Sequence, residues 1–225
     1  MAHRPFTPAD LDTLRQWDTP TVCNGLELIV PGRRAVGYTV EPMVVADRTL
    51  PPIVGLARTG LIRAKEGPRS AVPPREDWYD YVAADGFPTV ALIQDIDDRP
   101  GYGAFWGEVQ SNVHKALGCL GVITNGSVRD IPMIASGFQM LAGSIVPSHA
   151  YVHVVDFGID VAVHGMAVKS GDLIHADRHG AIVVPPEKIA AMRAALDGLS
   201  AREAKIIAAA RAGGDLAAIK AAMTG

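Results

Sequence analysis

Cysteine is scarce in this chain, and no sign of charge dominates it. Only Cys23 and Cys119 occur; they lie far apart and fit neither a CxxC nor a zinc-ligand spacing, so reduced thiols in cytoplasm are expected. With 21 Lys and Arg against 24 Asp and Glu the net charge is −3, and no basic block forms the face that a nucleic-acid partner favours. No apolar run approaches the ~20 residues that cross a bilayer. The opening MAHRPFTPADLDTL also lacks the apolar core of a signal peptide. Repeats, low-complexity tracts and linkers are missing too. What remains is globular: 225 residues, 48% hydrophobic and 20% charged, enough for one well-buried core. The chain reads as a single domain over residues 1–225, soluble and cytoplasmic, with neither nucleic acid nor membrane as a partner.

Thr7-Pro8-Ala9-Asp10 offers an N-cap, a proline at the first helical position and an acid three residues past the cap, and Thr19-Pro20 repeats the opening. Residues 37–63, rich in Val, Ile and Thr between Gly and Pro, predict two or three strands; 66–76 predict a loop and 77–84 a short helix. An α/β rhythm follows. It comprises an apolar strand at 89–94, the loop DIDDRPGYGAF, a helix from about Trp106 to Leu117 and a second apolar strand at 121–124. A tight turn at Asn125-Gly126-Ser127 and a third helix opening near Arg129-Asp130 complete it. Such a pattern implies neighbouring parallel strands, with an active site where strands end and helices begin. Residues 140–185 read as Gly-punctuated strands. The Ala-rich segment at about 186–224 reads as helices broken near Gly213-Gly214, suited to packing or subunit contact.

The helix that follows the Gly-rich loop begins at Gly107-Glu108-Val109-Gln110. Its first N–H groups have no helical partners and sit at the positive end of the dipole, a natural seat for a carboxylate. One β–α unit later comes Arg129-Asp130, which in isolation reads equally as a helix-opening acid beside a surface arginine. If Gly126 permits the turn, the pair faces the same crevice. There Asp130 would be a hard oxygen ligand to Mg2+ or Mn2+, Arg129 would grip a carboxylate or keto oxygen, and Glu108 would orient a water or shuttle a proton. Cation and guanidinium together would stabilise the enolate of a small 2-oxo acid.

The blocks TPTVCNGLELI, AFWGEV…GCLGVITNGSVRD and AVKSGDLIHADRHGAIVVP, in that order and spacing, resemble the RraA-like family over most of the chain. That family includes 4-hydroxy-4-methyl-2-oxoglutarate aldolases, which also decarboxylate oxaloacetate, and regulators of ribonuclease E activity. The resemblance implies an α/β fold, a swivelling β/β/α domain with a central sheet, flanking helices and a C-terminal helical segment, assembled as a homotrimer or a dimer of trimers. The aldolase branch is marked by an acid, twenty intervening residues, then Arg-Asp; Glu108 and Arg129-Asp130 keep that interval, with Glu where Asp is usual. By resemblance Asp130 is the metal ligand, Arg129 the clamp on pyruvate and its enolate, and Gly107, Glu108, Val109 and Gln110 the donors to the pyruvate carboxylate. Met133 and Asn24 stand where acids are frequent in the family.

The expected activity is a divalent-metal-dependent lyase of class II type. It would cleave a 4-hydroxy-2-oxo acid by retro-aldol reaction, or decarboxylate oxaloacetate, through a pyruvate enolate. Two alternatives stay open. One is a non-catalytic regulator binding ribonuclease E or another protein, against which the intact acid-to-Arg-Asp interval argues. The other is a different metal–enolate reaction on a sugar-acid derivative. A methyltransferase is disfavoured, because no Gly-rich S-adenosylmethionine loop follows a first strand.

Of the remaining residues, His114 and Lys115 read as a solvated or interface face. His149, His153, His164 and His175 read as satisfied structural histidines, and His179 as one whose turn could reach a neighbouring subunit's site. Trp106 reads as packing and Tyr102 as a candidate cover for the pocket. The run Trp78–Tyr81 either packs on the sheet or lines an entrance.

Overall fold

Two capped helices open the chain, as the Thr-Pro pattern predicts. In α1 (Pro8–Leu14) the Thr7 hydroxyl accepts the Asp10 N–H at 3.3 Å while the Asp10 carboxylate accepts the Thr7 N–H at 2.7 Å, a reciprocal capping box. The start of α2 (Thr19–Ile29) is held twice: Asp18 accepts the Thr21 N–H at 2.9 Å, and the distant Asp177 accepts the Thr19 N–H at 3.0 Å. The computed structural model describes residues 5–83 and 86–224, so the last residue of the predicted 77–84 helix lies outside the described part.

The strands and helices that follow are β1 (Val44–Val45), β2 (Ile53–Arg63), α3 (Arg75–Ala83), β3 (Thr89–Asp95), β4 (Ala104–Trp106), α4 (Glu108–Ala116), β5 (Cys119–Val128) and β6 (Gln139–Ile145). Then come β7 (His153–Phe157), β8 (Val161–Val163), β9 (Met166–Val168), β10 (Leu173–Asp177), β11 (Gly180–Val184), α5 (Ile189–Arg211) and α6 (Leu216–Thr224). The main sheet runs β1-β6-β5-β3-β2-β10-β11, and its centre β2-β3-β5-β6 is parallel. These central strands are nearly continuous apolar runs because both of their faces are covered. The long β2 divides its other edge between two antiparallel partners: β10 along Ile53–Leu56 and β7 along Gly60–Arg63. Helices α3 and α4 cover one face, over a core that includes Trp78 and Val82 of α3, Trp106 of β4 and Phe138 ahead of β6. The opening helices and the start of α5 form a second core through Leu14, Leu26, Met192 and Leu196. A hairpin, β8–β9, closes a third around Val163 and Met166.

The result is the expected α/β arrangement of central sheet, flanking helices and C-terminal helical segment, broken at Gly213-Gly214. No helix among the described residues is long and apolar enough to cross a membrane. Both thiols are free, and burial pushes the Cys23 thiol up to about 11.

Three local expectations are corrected. Trp106 belongs to the short strand β4, and α4 starts two residues later. The Asn125-Gly126-Ser127 stretch is not a turn, because β5 continues through it to Val128. The Asn125 side chain keeps it extended by accepting the Asp95 N–H at 2.7 Å and donating to the Asp95 carbonyl at 3.0 Å. Gly126 instead serves an irregularity in the β5–β6 register, packed where a Cβ would meet Thr124 Oγ1 at 3.1 Å and Asp95 Cβ at 3.2 Å. No α-helix opens at Arg129-Asp130. Asp130 takes a left-handed conformation (φ 56°), which an α-helix cannot accommodate, and one 3-10 turn, Ile131–Met133, follows.

Candidate active site

The short strand β4 decides what meets at the centre. β3 pairs with β5 as far as Thr124; beyond it β4 takes over that edge, setting Ala104 against Ser127 and Trp106 against Val128. Both chains then leave the sheet side by side. β4 runs through Gly107 into α4, and β5 runs into Arg129, whose N–H donates to the Trp106 carbonyl at 2.9 Å. Trp106 anchors the junction: it is fully buried, stacked on Phe138 with ring centroids 6.0 Å apart and tilted against His114 at 4.5 Å.

At the junction the two backbones nearly touch. A Cβ on Gly107 would lie 2.5 Å from Asp130 Oδ2 and 3.0 Å from Arg129 Cγ, so any larger residue must displace the Asp130 carboxylate or the start of α4. The left-handed backbone of Asp130, which costs a non-glycine residue about 1 kcal/mol, folds its carboxylate back over the start of α4. There Oδ2 accepts the Glu108 N–H at 3.3 Å and lies 3.5 Å from Arg129 Nε. The helical ladder begins only where Ser111 N–H reaches the Gly107 carbonyl at 3.0 Å, which leaves the Val109 and Gln110 N–H groups without helical partners. Gly107, Glu108, Val109, Gln110, Arg129 and Asp130 all line one cleft of about 490 Å3. Arg129 and Asp130 are each about one-third exposed, at 34% and 27% of their side chains.

A buried latch fixes the first turn of α4. His114, expected on a solvated or interface face, is fully buried. Its Nδ1–H donates to the Gln110 carbonyl at 2.8 Å and its Nε2 accepts the Trp78 indole N–H at 2.8 Å. Burial pushes its pKa down to about 4, so the ring is neutral at ordinary pH. The Tyr79 hydroxyl donates to Gln110 Oε1 at 3.2 Å, a second link from α3 to the same turn. Trp78 therefore packs in the core. Lys115 stays exposed and donates to the Ser136 carbonyl.

The other histidines divide. His164 bonds the Thr124 carbonyl at 2.8 Å, and His175 bridges Thr19 Oγ1 and the Leu14 and Trp17 carbonyls, so both are structural. His179 pairs with Asp177 at 3.0 Å in a separate pocket beside Trp17 and Asp18. His149 and His153, expected to be structural, line the cleft opposite α4 together with Arg75. A lone residue on a loop or strand end leaves no periodic signal, so sequence reasoning missed these three. Tyr102 does not cover the pocket; it is 53% exposed and outside the lining.

The donor set suits a hard divalent cation held partly by substrate. Asp130 and Glu108 both line the cleft, and among the described residues Asp130 Oδ1 has no hydrogen-bond partner and the Glu108 carboxylate no ion pair. No group of three or more His, Cys, Asp and Glu side chains among the described residues makes an all-protein cage. Mg2+ is commonly bound by one or two carboxylates with water and substrate oxygens completing its octahedron.

Fold and site together define an α/β domain with an anion seat and an Arg-Asp pair at adjoining strand ends. A profile of the RraA-like family, described as Aldolase/RraA, matches residues 19–183, and the chain belongs to that family. It is 26% identical over 183 residues, 80% of either chain, to a Halalkalibacterium halodurans protein provisionally named 4-hydroxy-4-methyl-2-oxoglutarate aldolase. Among solved structures it is similar to Streptomyces coelicolor RraAS2, described as an unusual member of the RNase ES inhibitor RraA protein family. That match has a TM-score of 0.69 at 22% identity over 88% of this chain and 96% of that one. It is also similar to an uncharacterized Pseudomonas syringae protein, with a TM-score of 0.70 at 18% identity over 97% and 100% of the two chains. At those identities the structural likeness is one of fold.

Proposed function

We propose that this protein is a divalent-metal-dependent lyase that cleaves a 4-hydroxy-2-oxo acid by a retro-aldol reaction and decarboxylates oxaloacetate, both through a pyruvate enolate. The observation that carries the reading is the convergence of the α4 amides, Arg129 and Asp130 on one cleft. The substrate carboxylate sits on the Val109 and Gln110 N–H groups at the positive end of α4. Arg129, always charged, holds the keto oxygen and favours the charge that gathers there as the bond breaks. Asp130, with Glu108 beside it, would hold Mg2+ or Mn2+, which when bound supplies Lewis-acid stabilisation of the same oxygen. Glu108 positions the water that protonates the enolate carbon and releases pyruvate. Reduced thiols and the lack of a basic face agree with a cytoplasmic enzyme of small acids. We further propose a homotrimer or dimer of trimers.

The test is Mg2+-dependent pyruvate release from 4-hydroxy-4-methyl-2-oxoglutarate and from oxaloacetate. Chelation by EDTA and Asp130→Ala are each expected to abolish it, and Arg129→Ala to lower it at least 100-fold with an unchanged circular dichroism spectrum. Turnover at the wild-type rate by either variant removes this mechanism.

A further inference from the structure

We propose that His153 is the general base of the carbon–carbon cleavage, taking the proton of the substrate's C4 hydroxyl; this rests on the retro-aldol reading above. The cleft is one of two adjoining chambers. Beyond it lies a second of about 460 Å3, walled by Arg63, Lys65, Arg69 and Asp97, and the two share only Pro68 and His153 in their linings. Among the described residues His153 is therefore the one polar side chain at the junction. A substrate whose carboxylate is seated on α4 runs outward through C2 and C3 to C4. In this pose the bond to be broken lies toward the junction, and the departing carbonyl half leaves into the second chamber.

The neutral ring is held in the tautomer that a base needs. His153 Nδ1 lies 2.9 Å from the Tyr151 carbonyl oxygen, which can only accept, so Nδ1 carries the hydrogen and the Nε2 lone pair is free. The carbonyl that orients the ring is itself fixed, because the Tyr151 N–H donates to the Ala64 carbonyl at 3.0 Å. His153 begins β7 and pairs with Arg63 of β2, so it stands on a strand and not on a free loop. The nearby cations are already matched: Arg63 lies 3.6 Å from Asp97 and Lys65 3.0 Å from Asp98. His149 has a similar tautomer, with Nδ1 2.7 Å from the Ala150 carbonyl, but it lines the cleft without reaching the second chamber and lies on an exposed loop.

In the step, the O–H bond at C4 breaks and its proton passes to Nε2. The C4 oxygen pair forms the new carbonyl, the C3–C4 pair becomes the C2–C3 enolate, and the imidazolium returns its proton to water. Oxaloacetate has no hydroxyl proton to remove, so its decarboxylation bypasses His153.

The deciding experiment compares His153→Asn with wild type on both substrates and in pyruvate binding followed by calorimetry. Pyruvate release from 4-hydroxy-4-methyl-2-oxoglutarate is expected to fall by roughly 100-fold or more, while oxaloacetate decarboxylation and pyruvate binding stay unchanged. His149→Asn is expected not to reproduce this split between the two reactions. The proposal is overturned if His153→Asn cleaves at the wild-type rate, if it loses both reactions together, or if His149→Asn alone blocks cleavage. Failure of the wild-type protein to release pyruvate from either substrate would instead overturn the parent reading, and this one with it.

Discussion

At Gly107 a single carbon atom separates a working junction from a blocked one. Since a Cβ there would lie 2.5 Å from Asp130 Oδ2, Gly107→Ala must push the carboxylate aside or shift the start of α4. Displacement of about 1 Å at a reacting centre costs on the order of 100-fold. Gly107→Ala is therefore expected to lower pyruvate release by about that factor while the thermal midpoint stays near wild type, which calorimetry alongside the assay would check. The six residues from Gly107 to Asp130 were legible in the sequence because each is tied to a strand end or a helix start. The backbone of Asp130 was not. Its left-handed conformation depends on a carboxylate finding the Glu108 N–H twenty-two residues away, and no local pattern encodes that contact. The place of Arg75, His149 and His153 in the cleft was not legible for a related reason: Arg75 lies more than seventy residues before the two histidines, and they line one cleft only in space.

Among the elements, the buried strands and capped helices were the easiest to read, since period and punctuation both mark them. Strand β4 was not, because three residues within a Gly-rich loop carry no period. The reading of Asn125-Gly126-Ser127 as a turn failed because the Asn125 amide satisfies the backbone of Asp95 and keeps β5 extended. At the opposite end, helix α5 buries Ile189, Met192 and Leu196 against the opening helices, while its later turns and α6 contribute no buried residue. Deletion of residues 201–225 is accordingly expected to leave the thermal midpoint of the domain within a few degrees of wild type, a shift that corresponds to about 1 kcal/mol or less. A cooperative loss of the whole domain on that deletion would show instead that the arm is part of the core.

For the whole molecule, pH acts through histidines that folding keeps neutral. Burial lowers the pKa of His114, His164 and His175. For His114 the fall is from 6.5 to about 4. Between those values the unfolded chain binds a proton that the folded chain refuses, so stability present above pH 6.5 is lost as pH falls toward 4. For His114 alone the full loss is about 3 kcal/mol, of which about 2 has gone by pH 5. Urea unfolding at pH 7 and pH 5 should show wild type losing about 2 kcal/mol more than His114→Gln. Equal losses would mean that the ring is protonated in the folded state.

The handover of the β5 edge from β3 to β4 also makes the stretch between Glu108 and Arg129 a ruler. The chain runs out along α4 and back along β5, and both ends must arrive at the same margin of the sheet. Side chains alternate along a strand, so one residue gained or lost within β5 would send Arg129 to the opposite surface. Away from Gln110, His114, Asn125 and Gly126, sequence can vary along that path without disturbing the chemistry at its ends. Its residue count cannot change by one.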